Sequence, residues 1–298
     1  MPADVTPGAP ALPMRTPVRA EPPWRGTWRA FTANRAAIVG LAGLILIVVA
    51  GLLGPALVDA NPFEMMRAPL MPPGEGGVLG SDYLGRDVFV SLVHGARTTL
   101  LIALAATGFT VLIGLLVGAL AGYYGGIVDD ALMRFTEFFQ VLPNLIFAMV
   151  LTTLFSSSLW TVIFAIGVVN WCPLARLTRA EVLRLKGQEY VMAARAAGAR
   201  DGGIILRTIL PNAMPPLVIS ITLLVGICIL FEAAMSFLGL TDPDVMTWGL
   251  MIGISRDYFW EAWWTVTFPG LAILITVLCI ALIGDGLNDA LNPKLRKR

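Results

Sequence analysis

The sequence predicts an all-α integral membrane protein: six transmembrane helices with a basic cytoplasmic loop between the fourth and the fifth. Three observations carry that prediction. Of 298 residues, 57% are hydrophobic and only 14% charged, a balance too apolar for a soluble domain. Long uncharged runs recur, and the first, Ile38 to Val58, is 21 residues, roughly 31 Å of helix, enough to cross a hydrocarbon core. Lysine and arginine also divide unequally between alternate loops. With the N-terminus inside, seventeen fall in inner segments and four, Arg67, Arg86, Arg97 and Arg256, in outer ones. That split satisfies the positive-inside rule with both termini cytoplasmic.

Residues 1–23 hold seven prolines and few side chains able to pack, which predicts a disordered tail. Trp24, Trp28 and Phe31 then share one helical face with Arg25, Arg29 and Arg35 on its flanks, the pattern of a short helix lying at the membrane surface, so residues 24–58 read as an interfacial helix plus the first span. No short signal-peptide core precedes that span, which is therefore read as retained. Residues 59–97 turn polar and rich in Pro and Gly, an external segment. Five further spans occupy 98–290: Leu100 to Gly122, Leu132 to Phe155, Leu159 to Leu177, Ala213 to Leu240 and Thr265 to Gly284, the last after a break at Phe268-Pro269-Gly270. Residues 291–298 form a basic cytoplasmic tail.

Polar groups at membrane depth must be buried in protein or line a wet cavity. Gln140 and Asn144 in the third span and Asn170 in the fourth are therefore candidates for a pathway wall, as are Glu232 and Ser236 in the fifth. Glu232 lies 17 residues beyond Pro215, about 26 Å along the helix and near its outer end. Its carboxylate there either fixes the helix end or lines an external gate. Trp263 and Trp264, at the head of the last span, suit an interfacial belt. Cys172, Cys228 and Cys279 sit in apolar runs without C-x-x-C spacing, as core packing does. His94 is the only histidine, which leaves histidine-based metal or triad chemistry without a basis. The net charge of +1 and the scatter of basic residues over loops point away from nucleic acid.

The longest Ala- and Arg-rich stretch between spans is Gln188 to Asn212, QEYVMAARAAGARDGGIILRTILPN. Tyr190, Val191, Ala194 and Ala197 recur at helical spacing, so a short helix there shows a face of mostly small side chains. Gly198 ends it, Gly202 and Gly203 break the chain again, and Pro211 closes a second short run, Ile204 to Leu210. The segment resembles the EAA loop of membrane subunits of ATP-driven importers of the type I ABC class: Ala193, Ala194, Gly198, Leu210 and Pro211 fall at the pattern's spacing, while Met192 stands where Glu is usual and Thr208 where Ile is usual.

Two further stretches resemble the C-type permease subunit of dipeptide, oligopeptide and nickel importers. One is LGSDYLGRDVFVSLVHGARTTL, Leu79 to Leu100, with Asp82, Gly85, Arg86, Asp87 and Arg97 read as structural polar contacts. The other is GDGLNDALNPKL, Gly284 to Leu295, with Asp285 and Asp289. The segment Thr241-Asp242-Pro243-Asp244 departs from the family's pattern in an outer loop, where substrates differ. The resemblance implies a permease subunit that pairs with a second related permease, two ATP-binding subunits and an external solute-binding protein in a bacterial cytoplasmic membrane. It implies coupling to the ATPases through Glu189, Tyr190, Ala193, Ala194, Arg195, Gly198, Ala199, Leu210 and Pro211. ATP and Mg would be bound by those partners and no cofactor by this chain, which has no G-x-x-x-x-G-K-[ST]. Di- or oligopeptides come first as substrate and nickel second. An intramembrane enzyme built on Ser236 or Glu232 lacks a nearby His or Lys, and a passive channel has no use for the basic small-residue loop.

Overall fold

The computed structural model describes residues 23–58 and 60–291; the Pro-rich tail and the basic C-terminal residues expected above lie outside the described residues. The fold is a helical bundle. The described helices are α1 (Pro23–Ala33), α2 (Arg35–Val58), α3 (Val88–Tyr124), α4 (Gly126–Val141), α5 (Asn144–Leu154), α6 (Leu159–Lys186), α7 (Glu189–Ala196), α8 (Asp201–Phe237), α9 (Trp248–Ser255) and α10 (Trp264–Leu291). Among the described residues five helices, α2, α3, α6, α8 and α10, are long and apolar enough to cross a membrane, and the bent pair α4 and α5 together meets the same length and hydropathy, which gives six spans when the pair is counted as one.

The bundle is organised around α3 and α6. Gly114, Gly118 and Gly122 recur every fourth residue of α3, so they share one face and let the two backbones meet. A Cβ on Gly118 would lie 2.3 Å from the Ala175 carbonyl oxygen, and one on Gly122 would lie 2.8 Å from that of Arg179. Two thirds of the apolar window of α6 (67%) is buried inside the chain, against 17% for α2, so α6 is central and α2 peripheral. The seam's inner end is laced by polar bonds. Arg179 pairs bidentately with Asp129 of α4, with Nη2 to Oδ2 at 2.6 Å, and Lys186 Nζ donates to the Gly122 carbonyl at 2.9 Å.

Four prolines behave differently from one another. Pro143 does break its helix: Leu142 is extended (φ −74°, ψ 131°), as residues before proline prefer, and α4 and α5 meet at 89°, so the third span is not the single helix expected. Pro173 sits inside α6 without ending it, and Pro269 inside α10, where the expected break does not occur. Pro211 also fails to close a helix. The chain runs unbroken from Asp201 to Phe237 through a wide turn at Ile204–Ile209, in which the Leu210 N–H reaches the Ile205 carbonyl five residues back. A proline ring crowds the carbonyl four residues before it, and the wider turn just ahead of Pro211 absorbs that displacement. The second helix of the loop is thus the start of the fifth span.

Other boundaries also shift. The second span begins at Val88 rather than near residue 98, because Asp87 caps it, its carboxylate accepting from the N–H groups of Phe89 and Val90. The fourth runs on to Lys186. Helix α1 does not simply lie on a surface: Phe31 is buried against Ala37 and Ala290, tying α1 to the end of α10. Trp264 is not in a belt either, since its ring is buried and its Nε1 donates to the Ser81 carbonyl at 3.2 Å, whereas Trp263 is half exposed. The three cysteines are buried and free, as expected of core residues.

The seam gives a sharp stability test. Gly118→Ala is expected to cost about 1–3 kcal/mol by overpacking, because the atom it meets is backbone; Gly108→Ala, with nothing within 4 Å, serves as control and should leave the thermal midpoint of the solubilised chain unchanged.

Candidate functional site: the cytoplasmic loop and the polar groups of the spans

The loop has the local chemistry of a helix stop. Helix α7 ends in a left-handed glycine, Gly198 at φ 80°. Its N–H donates to the Arg195 carbonyl at 3.0 Å, and the Ala199 N–H reaches the Ala194 carbonyl at 3.1 Å, the paired closure that a positive-φ residue permits. Nothing lies within 4 Å of the place a Gly198 Cβ would occupy. Of α7 only Val191 is buried; Glu189, Tyr190, Ala193 and Arg195 are exposed, as are Gly198 and Ala199 beyond it, with Ala194 intermediate. The small-residue face predicted from Tyr190, Val191, Ala194 and Ala197 is therefore mostly open, with Val191 as its anchor. Leu210 is half-buried and Pro211 exposed, just past the wide turn of α8.

What holds the loop was not foreseen. Tyr123, at the inner end of α3, donates its hydroxyl hydrogen to Asp201 Oδ1 at 2.6 Å and accepts from Arg195 Nη2 at 3.3 Å, with the Arg195 guanidinium 5.6 Å from its ring centroid. One phenol thus ties the end of α7 and the start of α8 to the α3–α6 pair. Asp129 and Arg179 fix α4 to the same place. The Gly-x-x-x-Gly-x-x-x-Gly run in the second span was the sequence signal that α3 needed a close partner; nothing in the sequence pairs Tyr123 with Asp201, 78 residues on.

Of the residues between Leu79 and Leu100 read as polar contacts, Asp82, Arg86 and Asp87 take part in one network. Asp82 Oδ1 accepts from the N–H groups of Leu84 (2.9 Å) and Arg86 (2.8 Å). Burial raises its pKa above the ordinary carboxylate value of 3.8, against the opposing pull of those two N–H groups. Asp87 pairs with Arg67 Nη2 at 3.0 Å, and the Arg86 guanidinium stands 5.1 Å from the Phe63 ring centroid. Gly85 is required where it stands: at φ 78°, any Cβ would lie 2.1 Å from the Arg67 carbonyl oxygen. Arg97 is exposed on α3 and makes no side-chain hydrogen bond or ion pair among the described residues, so it stands apart from this network. Asp289 Oδ2 accepts from Asn34 Nδ2 at 2.9 Å, and Asn34 Oδ1 caps α2, which joins the C-terminal motif to the first span. Asp285 is exposed.

The polar groups within the spans separate into two kinds. Glu232 is fully buried and does not face a vestibule, which corrects the gate reading. Ser236 Oγ donates to its Oε1 at 2.6 Å, while Oε2 has no hydrogen-bond partner among the described residues; the side chains of Thr99 and Thr247 also face the carboxyl group. Helix α9 causes this burial: Gly249 and Gly253 lie flat on the carbonyls of Ala233 and Phe237, and Trp248 donates its Nε1 hydrogen to the Leu92 carbonyl at 2.9 Å. Asn170 is buried too, its Nδ2 satisfied by the Ile166 carbonyl at 2.9 Å. Gln140 and Asn144, by contrast, line an open recess beside Pro173.

Long apolar helices, a short and mostly open helix between two of them and a packed polar segment at the other end together define a multi-pass membrane protein. Residues 114–297 match the family described as "Binding-protein-dependent transport system inner membrane component", and residues 22–73 match the "N-terminal TM domain of oligopeptide transport permease C". The chain belongs to this binding-protein-dependent permease family. It is 39% identical over 282 residues to the di/tripeptide transport system permease protein DppC of Pseudomonas aeruginosa, covering 92% of this chain and 93% of that one. It is 35% identical to the oligopeptide transport system permease protein OppC of Bacillus subtilis, covering 92% and 90%. Among solved structures, an inward-facing MetNI methionine ABC transporter chain shares the fold, with a TM-score of 0.56 at 24% identity, covering 67% of this chain and 96% of that one. These relatives are permeases rather than enzymes.

A structural Glu232 carries its own prediction. Glu232→Gln keeps an acceptor for Ser236 and is expected to leave the thermal midpoint of the solubilised chain nearly unchanged. Glu232→Ala, which opens a cavity and strands the Ser236 hydroxyl, should cost about 2–4 kcal/mol. Equal stability of the two variants would contradict the structural role.

Proposed function

We propose that this chain forms, with a second related permease, the translocation pathway of an ATP-driven importer of di- or oligopeptides. An external solute-binding protein delivers the substrate and two partner ATPases bind ATP and Mg and drive the cycle. The names of the relatives support the substrate class. The observation that carries the coupling role is the loop itself: a short helix with one buried anchor, Val191, and an otherwise open surface, held rigidly to the bundle through Tyr123. Such a helix suits a groove on a partner, and its clamp passes the partner's movement to α3 and α8. Glu189, Tyr190, Ala193, Ala194, Arg195, Gly198, Ala199, Leu210 and Pro211 make up this coupling segment, while Asp82, Gly85, Arg86, Asp87, Asp285 and Asp289 are assigned to structure. The cycle then alternates the spans between inward- and outward-facing arrangements. The split of Lys and Arg between alternate loops supports an orientation with both termini inside, and the family match supports the bacterial cytoplasmic membrane.

Two measurements test this. In proteoliposomes holding the whole transporter, Gly198→Val forces a β-branched residue to φ 80° and is expected to cut peptide-stimulated ATP hydrolysis and uptake more than tenfold while the complex still assembles. Wild-type coupling in that variant would remove the loop's role. For orientation, a cysteine at exposed Asp244 should react with an impermeant thiol reagent in intact cells and one at exposed Arg200 only after the inner face is opened; the reverse pattern would invert the topology.

A further inference from the structure

The open recess at the α4–α5 break has a volume of about 320 Å³ and is lined by Phe139, Gln140, Asn144, Val169, Cys172 and Pro173. Its walls are prebuilt. Phe139 packs edge-on against Trp171 and Phe147, and Trp171 and Cys172 are buried behind it. Its polar groups are unusual for membrane depth. Pro173, in the middle of α6, has no N–H to give the Val169 carbonyl, so that acceptor loses its normal helical donor. Gln140 and Asn144 flank the break, and each offers one carbonyl oxygen and one NH₂ group. None of the six residues carries a charge. Facing lipid, these groups would each cost several kcal/mol, so they belong to a wet path or to a ligand.

We propose that this recess is a subsite for the substrate's main chain: the carboxamides of Gln140 and Asn144 and the Val169 carbonyl hold one peptide bond of a passing di- or oligopeptide. A peptide bond presents one N–H and one C=O, the pair a side-chain carboxamide complements, whatever side chains the peptide bears. A neutral subsite also holds peptides of either net charge weakly enough to release them. No carboxylate or imidazole lines it, which favours a peptide over a bare metal cation. The inference rests on the peptide reading of the preceding subsection.

The test uses the whole transporter in ATP-loaded proteoliposomes importing labelled trialanine. Asn144→Ala, at an exposed position, and Gln140→Met, of similar shape, should each lower maximal uptake about fivefold, as loss of a hydrogen bond does. The KM set by the external binding protein and the basal ATP hydrolysis should stay at wild-type values. Pro173→Ala returns an N–H to the helix and cannot weaken folding through a lost cap, so it decides the matter should another variant fail to assemble; it too should lower uptake severalfold. Wild-type uptake in the assembled variants overturns the subsite and leaves peptide import standing. Failure of the unmodified transporter to import trialanine or any other peptide overturns the peptide reading, and the subsite with it.

Discussion

The fold depends on the backbone contact between α3 and α6. Three glycines on one face of α3 let the helices approach until carbonyl oxygens of α6 stand where a side chain would be. In a membrane, where lipid tails are as apolar as leucine, association rests on such van der Waals contact and on hydrogen bonds between helices. The seam sets everything at its inner end. It brings Lys186 to the Gly122 carbonyl, Arg179 to Asp129, and Tyr123 to where Asp201 and Arg195 meet it. The loop packs against the flanking end of α6 and the wide turn of α8, and Tyr123 of α3 ties it at Arg195 and Asp201.

The outer end is held by different means. Asp82, Asp87, Arg67 and Gly85 fold the external segment into a compact cap, Trp264 reaches it from α10, and α9 lays two glycines on the carbonyls of α8. Glu232 sits beneath that packing. A buried carboxylate with one unsatisfied oxygen weakens a fold unless surrounding structure compensates, and here hydroxyls of three helices gather round it.

Hydropathy and charge made the spans legible, because a bilayer demands long apolar helices and basic inner loops. It did not fix their ends, since α3 and α6 continue past the apolar zone into capped or charged turns at Asp87 and Lys186. Prolines were least readable: Pro143, Pro173, Pro211 and Pro269 share one chemistry, yet only the first bends its helix sharply, because the outcome depends on what neighbouring backbone can absorb. Spacing revealed the loop's Ala-Ala, Gly and Leu-Pro frame, and the glycine stop followed. Tyr123 and Asp201 escaped notice because their partnership exists only after α3 and α8 are packed. Glu232 looked accessible from its position along the helix; α9, eleven residues past the end of α8, is what covers it.

Helix α8 is an unbroken rod of 37 residues, about 55 Å long, with the cytoplasmic loop at one end and the α9 cap at the other. Asp201, held by Tyr123, and the buried Glu232 and Ser236 therefore stand near opposite ends of one helix. Its hydrogen-bond ladder departs from the regular pattern at the wide turn Ile204–Ile209, where each residue turns through a smaller angle than in the helix above it, and at Pro215 and Pro216, which have no N–H to donate. Replacing that wide turn by a regular one would rotate every residue beyond it relative to Asp201, so the turn sets which face of α8 meets its neighbours along the rest of its length.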